Sequence, residues 1–328
     1  MKPVLITGAT GFLGKHLVAR LKSEQPLRVM CRGKSPWDCD AAVETVRGDI
    51  TSPEDVARAM SGAGSVYHLA GIVSRDPNDR WPMYRAHVDG TRNVCEAARA
   101  AGVDRVVAVS SSGTVAVSAE PVVHNEDSGY KHAVVGRWAY YLSKIYAEKL
   151  ALAFGAEFGL PVVIANPALL LGPGDDHNSS TGDVAMFLDG EILALPGGGM
   201  SFVDARDVAA GLVGAMRRGR PGERYLLGGA NWTFRRIIEK VSEISGVRPP
   251  KMQPSLGLSL ASARVLRRLF PLIGKSFEGL DDDTIRMAAL FWYCDSSKAS
   301  AELGFTPRDP AETLRDTVED IRRRRRSS

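Results

Sequence analysis

The sequence predicts an α/β fold in which a doubly wound parallel sheet is followed by a smaller C-terminal region. Two observations lead to this prediction. Short apolar runs typical of strands alternate with helical stretches through the first half of the chain, which indicates parallel strands joined by crossover helices. The first of these strands also turns into the first helix through a run of closely spaced glycines.

The predicted elements follow one another closely along the chain. Strands are predicted at residues 3–7, 27–31, 43–47, 65–69 and 104–110. One helix is predicted to begin at residue 12, a second at about residue 53, and a third runs through the 80s and 90s. A long helix is predicted at about 136–158, and LPVVIANP is typical of a buried strand that stops at Pro167. After GPGDD at 172–176 the pattern loosens into loops, with short helices near 206–217 and 233–245.

The glycine-rich turn is the stretch TGATGFLGKHL at residues 7–17, which directly follows a short apolar strand. Glycine permits positive φ and close backbone approach, so Gly8, Gly11 and Gly14 are predicted to form a turn, a contact point and a packing point. The helix that follows presents free N–H groups and the positive end of its dipole. A diphosphate fits such a site, so residues 1–168 are predicted to bind a dinucleotide in a Rossmann-type sheet. A glycine-rich turn without a ligand is the alternative.

The remaining chain is divided into two parts. Residues 169–321 are predicted to form mainly a substrate-binding region, with some segments that return to the Rossmann sheet, and residues 322–328 form a basic tail. The net charge is +4, and Arg322 to Arg326 supply five positive charges, so the basicity belongs to this tail. Such a run is expected to be a solvated, mobile end. Contact with anionic lipid or nucleic acid is the alternative, and no nucleic-acid partner is expected.

The chain has four cysteines, at Cys31, Cys39, Cys95 and Cys294, without a CxxC pair or histidines at zinc spacing. A disulfide framework and a metal site are therefore not expected, and a reducing cytoplasm fits best. The N-terminus has no signal-type apolar region, and no stretch reaches about 18 uninterrupted apolar residues. Secretion and membrane spanning are therefore not expected.

Tyr140 and Lys144 stand four residues apart in WAYYLSKIYAEKL, so their side chains share one face of a predicted helix. A tyrosine titrates near pH 10, and acid–base work near pH 7 requires a pKa lowered by about three units, or ~4 kcal/mol. A lysine ammonium about 4 Å away supplies roughly that much. The pair is therefore chemically sufficient for proton transfer at a carbonyl group. An amphipathic helix with a surface lysine and a half-buried tyrosine is the alternative.

Three serines end the predicted strand in VVAVSSSGTV at residues 106–115. Ser110, Ser111 and Ser112 therefore fall at the carboxyl edge of a parallel sheet, where ligands bind in open α/β folds. A hydroxyl at this edge is placed to meet both Tyr140 and a substrate oxygen. The alternative is a polar strand end without a catalytic role.

In this order, the glycine turn, the serines and the Tyr/Lys pair resemble the extended short-chain dehydrogenase/reductase family, also called the NAD(P)-dependent epimerase/dehydratase family. The resemblance covers nearly the whole chain. It also includes GDIT at 48–51, HLAG at 68–71, VDGTRNV at 88–94, NPALLLGPGD at 166–175, FVDARDVA at 202–209 and WYCDSSKASAELGFTPR at 292–308.

The resemblance implies a role for each catalytic candidate. Tyr140 would be the general acid/base, and Lys144 would lower the pKa of Tyr140 and hold the nicotinamide ribose. Ser111 or Ser112 would hydrogen-bond the reacting oxygen, with Ser112 slightly preferred. The dinucleotide-binding residues that the resemblance implies are Thr7, Gly8, Thr10, Gly11, Phe12, Leu13, Gly14, Asp49 facing the adenine, Ile50, Leu69, Ala70, Gly71 and Pro167. No residue is expected to bind a metal.

Two positions depart from the family pattern. His87 stands where relatives usually carry Asn before the GT pair, so a supporting hydrogen-bond or water-relay role is not assigned to it. Met200 stands where nucleotide-sugar epimerases and dehydratases carry an Arg that grips the substrate phosphate. With GRPGERYLLGG at 219–229 and the WYCDSSKA run, the chain looks more like the 3β-hydroxysteroid dehydrogenase and dihydroflavonol reductase branch.

This branch implies hydride transfer between a nicotinamide cofactor and an apolar alcohol or ketone, such as a steroid-like compound. Two alternatives stay open: nucleotide-sugar epimerisation or dehydration, and a dinucleotide-binding sensor without turnover. Met200 argues against the first, and the retained Tyr140 and Lys144 argue against the second.

NADP is the predicted cofactor, with NAD as the alternative. Specificity for NAD usually comes from an acidic residue about 20 positions past the glycines, at the end of the second strand. Residues 25–37 contain no acid, but they contain Cys31, Arg32 and Lys34, and a guanidinium there suits a 2′-phosphate.

The resemblance also implies a homodimer, in which the helix bearing Tyr140 packs against the preceding long helix of a second subunit. Residues 256–280 are predicted to be amphipathic, with one largely apolar face and a second, basic face. The apolar face contains Leu258, Leu260, Ala261, Val265, Leu266, Leu269 and Phe270, and the basic face contains Arg264, Arg267 and Arg268. We expect a helix that caps the substrate region, and a lid or a peripheral contact with an anionic membrane is the alternative.

Overall fold

The structure, a computed structural model, describes residues 1–269 and 281–327 of the chain. Its strands are β1 (Val4–Thr7), β2 (Leu27–Cys31), β3 (Val43–Arg47), β4 (Ser65–His68), β5 (Arg105–Val109), β6 (Val123–His124), β7 (Val162–Pro167), β8 (Leu169–Leu171), β9 (Gly199–Asp204), β10 (Arg224–Leu227), β11 (Ala230–Thr233) and β12 (Phe291–Cys294). Seven of them form a parallel sheet in the order β10, β7, β5, β4, β1, β2, β3. The predicted doubly wound sheet is therefore confirmed. The strand order reverses between β1 and β4, which places a ligand crevice at their carboxyl ends.

Helices cover both faces of this sheet, and further helices pack in the C-terminal region. They are α1 (Phe12–Leu21), α2 (Pro53–Met60), α3 (Arg80–Tyr84), α4 (Gly90–Ala101), α5 (His132–Val135), α6 (Ala139–Phe158), α7 (Gly182–Leu188), α8 (Ala205–Arg218), α9 (Phe234–Ser245), α10 (Leu256–Leu269), α11 (Asp282–Ala288), α12 (Ser297–Leu303) and α13 (Pro310–Ser327). Ile6 belongs to the core formed with Leu17 of α1 and Leu212 of α8, whereas Leu5 belongs to the core formed with Ala98 of α4 and Ala151 of α6. Neighbouring residues of β1 thus serve opposite faces of the sheet.

A second sheet, which the sequence did not predict, lies mainly in the C-terminal region. Its strands run in the order β11, β9, β12, β6, and β8 also pairs with β9. Phe202, Trp232 and Val318 share one core, so α13 contributes to the packing of this sheet. β10, in contrast, returns to the edge of the main sheet beside β7. The short, half-buried strands of the second sheet carry little periodicity, which explains why the sequence did not reveal them.

The long helix that carries the Tyr/Lys pair begins later than predicted. The sequence predicted a start near residue 136, but α5 ends at Val135 and α6 begins at Ala139. Trp138 separates the two helices because its backbone is extended, with φ −101° and ψ 112°. Tyr140 therefore lies in the first turn of α6.

The basic run near the C-terminus forms the last turns of α13. Arg322 donates a hydrogen bond to the Ser245 carbonyl, and Arg325 pairs with Asp189 at 2.7 Å. Arg323, Arg325 and Arg326 are exposed to solvent, as expected, but the run is helical, and Arg322 and Arg325 are tied to other parts of the chain. Acceptors more than 70 residues away hold these guanidinium groups, and a local sequence pattern cannot show them.

α10 differs in part from the predicted amphipathic helix. Leu260 is buried, whereas Leu258 and Val265 are each 56% exposed. Leu258 and Leu260 are two residues apart, and at 3.6 residues per turn this spacing places them on nearly opposite sides of the helix. Phe270 and residues 271–280, which belong to the same prediction, lie outside the described residues.

The predicted basic face of α10 pairs with an acidic residue of α11. Arg264 and Arg267 form ion pairs with Asp282 at 3.2 and 2.6 Å.

Within residues 1–269 and 281–327, no helix combines the length and the apolar composition that crossing a bilayer requires.

Candidate active site

The turn between β1 and α1 has the backbone that a dinucleotide diphosphate needs. Gly8 has a φ of +73°, and a Cβ at this position would lie 2.6 Å from the Ala70 amide nitrogen. A Cβ at Gly14 would collide with the Gly8 carbonyl oxygen. Gly11, in contrast, is exposed, so this side of the turn is open. The residues therefore fit a diphosphate, which the N-terminal amides of α1 can bind.

The ends of β1 and β4 are joined by a buried polar cluster behind the turn. Thr7 Oγ1 lies 2.8 Å from His68 Nδ1 and accepts a hydrogen bond from the Ala70 amide at 3.3 Å. His68 Nε2 lies 3.1 Å from Thr91 Oγ1. Burial lowers the pKa of His68 to about 3, so its ring is neutral near pH 7. The Thr7 side chain thus faces the protein interior, and the whole residue is buried.

The other residues predicted to bind the dinucleotide lie at or just after the carboxyl ends of strands of the main sheet, in the turn after β1, or at the start of α1. Asp49 follows β3, and its Oδ1 accepts hydrogen bonds from the amide and the hydroxyl of Thr51 at 2.9 and 2.8 Å. This local turn fixes the orientation of the carboxylate. The strand ends and the turn also carry Thr10, Phe12, Leu13, Arg32, Ile50, Leu69, Ala70, Gly71 and Pro167.

A second guanidinium lies near Arg32 at the end of β2. Cys31 is paired in register with Arg47 of β3, and Arg47 donates to the Cys31 Sγ at 2.9 Å and to the Gly33 carbonyl. Arg47 also forms an ion pair with Asp38. The sequence did not predict a role for Arg47, because only the register between two strands places it beside Arg32.

Tyr140 and Ser111 meet at the carboxyl edge of β5. The Ser111 hydroxyl lies close enough to Tyr140 to influence the pKa of the tyrosine. Burial raises the pKa of Tyr140 above its usual value, and Ser111 offsets part of the rise. The sequence predicted a pKa lowered by Lys144, so the direction is corrected here. Ser111 is thus the serine that acts on the tyrosine, whereas Ser112 is buried in the turn Ser112–Thr114, and the role of each serine at a reacting oxygen stays a prediction.

Lys144 is buried one turn after Tyr140 on α6. Its Nζ donates a hydrogen bond to the Val109 carbonyl at 3.0 Å. Burial lowers the pKa of Lys144 to about 8, and the carboxylate of Glu148 opposes this shift. The ammonium group is therefore held at the strand end that also carries the serines, and it titrates near neutral pH.

His87 supports the backbone of Tyr140 through a chain of hydrogen bonds. The Ile72 amide donates to His87 Nε2 at 3.1 Å, so the proton is on Nδ1, which donates to Ser143 Oγ at 2.8 Å. The Ser143 hydroxyl in turn donates to the Tyr140 carbonyl at 2.9 Å. Burial and the charge of Lys144 lower the pKa of His87 to about 2, so the ring stays neutral. His87 therefore has a supporting hydrogen-bond role, which was not assigned from the sequence.

Glu148 is a buried carboxylate that joins the serine turn to α6. It pairs with Arg224 at 2.9 Å and accepts a hydrogen bond from Asn166 Nδ2 at 2.9 Å. The same Asn166 nitrogen also donates to the Ser111 carbonyl at 3.1 Å. Removing one partner of such a buried pair is strongly destabilising, because a charge remains uncompensated. This network was not predicted, and the spacing of four residues between Lys144 and Glu148 was its one available signal in the sequence.

An aromatic wall lies in contact with Tyr140. Tyr141 packs against Tyr140 with ring centroids 5.0 Å apart and stacks on Trp292 at 4.8 Å. Trp138 lies 6.0 Å from Trp292, and Met200 packs against the same cluster. The surroundings of Tyr140 are therefore largely apolar.

Residues 4–228 match the NAD dependent epimerase/dehydratase family. The chain belongs to this family. The matched residues include the glycine turn, Ser111, Tyr140 and Lys144. The family comprises NAD(P)-dependent oxidoreductases, dehydratases and epimerases.

Three proteins are similar to this chain over almost its full length. A putative dihydroflavonol 4-reductase of Synechocystis is 34% identical, covering 95% of this chain and 92% of that protein. Sterol demethylase protein B of Methylococcus capsulatus is 33% identical and covers 98% of both chains. The crystal structure of gox2253 has a TM-score of 0.85, is 30% identical and covers 98% of both chains. The resemblance stated from the sequence is thereby confirmed.

Proposed function

We propose that this protein is an NAD(P)-dependent oxidoreductase that transfers a hydride between its cofactor and an apolar alcohol or ketone. The observation that carries the proposal is the position of Tyr140 beside Ser111 at the carboxyl end of β5. Lys144 lies one turn further along the same helix, with its ammonium at the same strand end. Together these groups are suited to hold a substrate oxygen and to exchange a proton with it.

The residues present assign each part of the mechanism. The glycine turn and the amides of α1 would hold the diphosphate, and Lys144 would hold the nicotinamide ribose. When bound, the cofactor supplies or accepts the hydride. Ser111 hydrogen-bonds the substrate oxygen, and Tyr140 gives a proton to it during reduction or takes one from it during oxidation. The Lys144 ammonium lies at the same strand end, where its charge favours the negative charge that develops on the reacting oxygen.

The surroundings of Tyr140 favour an apolar substrate. Tyr141 and Met200 are partly exposed and provide apolar surface, and the buried Trp292 packs behind Tyr141. An aromatic surface binds ring systems by area and stacking. The names of two relatives, a dihydroflavonol reductase and a sterol demethylase protein, support this class. Met200 also stands where nucleotide-sugar enzymes carry the Arg that grips the substrate phosphate. This position argues against sugar epimerisation or dehydration, which is therefore only the second candidate.

A panel of apolar ketones and alcohols, assayed through the nicotinamide absorbance, tests this proposal. Nucleotide sugars belong in the same panel as the second candidate. Turnover of at least one apolar compound, lost in Tyr140→Phe, would support the proposal. Turnover of nucleotide sugars alone would overturn it, and tight cofactor binding with no turnover across a broad panel would favour a sensor.

We also propose that NADP is preferred over NAD. Arg32 is exposed at the end of β2, and Arg47 places a second guanidinium near it. Guanidinium groups bind phosphate in a bidentate manner, which suits the 2′-phosphate of NADP. Titration of the protein with NADPH and NADH is expected to show tighter binding of NADPH. In Arg47→Gln the affinity for NADPH should fall more than the affinity for NADH. Equal or tighter binding of NADH would contradict this proposal.

A further inference from the structure

Residues 172–189, here called the strap, are tied to the first turns of α1. Lys15 forms an ion pair with Asp176, and His16 Nε2 lies 2.9 Å from the Pro173 carbonyl oxygen. Lys15 directly follows Gly14, the last glycine of the turn that fits a diphosphate. This part of the strap therefore lies beside the diphosphate end of the crevice.

The strap is also tied to the loop that follows β4. Arg75 donates two hydrogen bonds to Asp183, at 3.1 and 3.0 Å, which is the bidentate geometry of a strong Arg–carboxylate pair. The charges of Arg75 and Asp183 both act on Tyr141, so this pair lies close to the aromatic wall. The strap therefore spans from the diphosphate end of the crevice to the Tyr140 end.

α13 holds the start of the strap from the opposite side. The Thr317 hydroxyl accepts a hydrogen bond from the Gly172 amide at 2.8 Å, and Asp320 Oδ2 accepts one from the Gly174 amide at 3.1 Å. Asp320 is buried, and Arg324 donates to the same Oδ2 at 3.0 Å. The carboxylate that binds the strap is thus neutralised by the basic end of α13.

The basic end of α13 also contacts the middle and the end of the strap. Arg324 donates to Asn178 Oδ1 at 3.0 Å, and Asn178 has a φ of +51°, a conformation that side-chain-bearing residues rarely adopt. Arg325 donates to the Ala185 carbonyl at 3.2 Å and pairs with Asp189 at 2.7 Å. Two neighbouring arginines therefore hold the strap at three places.

We propose that Arg324 and Arg325 are positioning residues, which hold the strap across the crevice and thereby strengthen dinucleotide binding. The basic run Arg322 to Arg326 thereby gains a role in positioning the strap. The proposal rests on the proposed cofactor-binding function of the crevice. The arginines act through the strap, since Arg324 binds Asn178 and Arg325 binds Ala185 and Asp189.

The test compares the double variant Arg324→Gln/Arg325→Gln with the matched control Arg326→Gln. Arg326 is exposed on the same helix. Hydrogen exchange is measured in the strap, and the affinity for NADPH and for NADH is measured by titration. The double variant is expected to exchange faster in the strap and to bind its preferred dinucleotide about five- to tenfold more weakly, as expected for two partly exposed pairs. The control is expected to match the wild type in both measurements.

A charge swap keeps the proposal falsifiable if the double variant fails to fold. Arg325→Asp and Asp189→Arg should each weaken dinucleotide binding, and their combination should restore it. Faster exchange with unchanged affinity would overturn the proposal, because the arginines would then only hold the strap. Equal effects in Arg326→Gln, or no recovery in the combined variant, would also overturn it. Binding is measured without turnover, so a failure of the proposed hydride transfer remains a separate result.

Discussion

Ser111 and Ser112 are adjacent residues with different surroundings. Ser111 contacts Tyr140, whereas Ser112 is buried within the short 3₁₀ turn Ser112–Thr114. Ser111→Ala should therefore lower kcat/KM about 10- to 100-fold, since a hydrogen bond to a developing charge is worth about 1.5–3 kcal/mol. Ser112→Ala, the control, should change it far less. Steady-state kinetics with both variants make the comparison, and a larger loss in Ser112→Ala would reverse the assignment.

The buried Lys144 predicts a pH dependence of the reaction. Its pKa is lowered to about 8 by burial, so its charge is lost as the pH rises through this value. The neutral amine no longer supplies a positive charge beside the reacting oxygen, so kcat/KM should fall above about pH 8. A profile that is flat from pH 7 to well above 8 would contradict this.

The lowered pKa of Lys144 also predicts that the protein becomes more stable as the pH rises, whereas kcat/KM falls. A lysine side chain in the unfolded chain has its ordinary pKa of 10.5, so between about 8 and 10.5 the unfolded state binds more protons than the folded state. The free energy of unfolding should therefore rise with pH in this window, relative to Lys144→Met. Urea unfolding at several pH values measures this difference, and parallel curves for the two proteins would count against a buried ammonium.

At the scale of elements, the close packing of β1 against α1 depends on Gly14. A Cβ at this position would collide with the backbone of Gly8 and Ala9. Gly14→Ala should therefore lower the free energy of unfolding by about 1–3 kcal/mol and weaken dinucleotide binding. Gly257 of α10 is a suitable control, because a Cβ there has nothing within 4 Å. Gly257→Ala should be neutral or stabilising, because alanine has the higher helix propensity. An equal loss of stability in both variants would contradict the packing explanation.

The sequence predicted those elements whose cause is local. The alternation of apolar runs predicted six of the seven strands of the main sheet, all but β10, and the glycine spacing predicted the turn into α1. The order of motifs also predicted that the serines and Tyr140 meet, but the choice between Ser111 and Ser112 depends on how the turn after β5 packs. Local spacing cannot show that choice.

The remaining features depend on residues that are distant in sequence. Arg47 reaches Cys31 only through the register of β2 and β3, and Arg325 reaches Asp189 across 136 residues. The raised pKa of Tyr140 likewise reflects burial, which the tertiary structure determines. Such effects carry no local periodicity, so they require the folded structure.

At the scale of the whole molecule, we propose a homodimer built on α6. Trp81 of α3 is 74% exposed and Tyr146 of α6 is 45% exposed, and Tyr84 lies between them with ring centroids 6.1 and 6.2 Å away. Exposed aromatic surface of this kind is typical of interfaces. Sedimentation at micromolar concentration should give twice the monomer mass, and Trp81→Ser/Tyr146→Ser should shift the protein toward monomer. A wild-type monomer under these conditions would contradict the proposal.

The assignment of Tyr140 as the proton-transfer group is the central claim, and Tyr140→Phe tests it most directly. The substitution removes the hydroxyl and keeps the ring, so turnover should fall about 10²- to 10⁴-fold while the affinity for the dinucleotide stays within about twofold. Lys144→Ala should weaken both turnover and binding, because Lys144 serves both. The measurement is turnover of the best substrate alongside a dinucleotide titration. Near wild-type turnover in Tyr140→Phe would contradict the account.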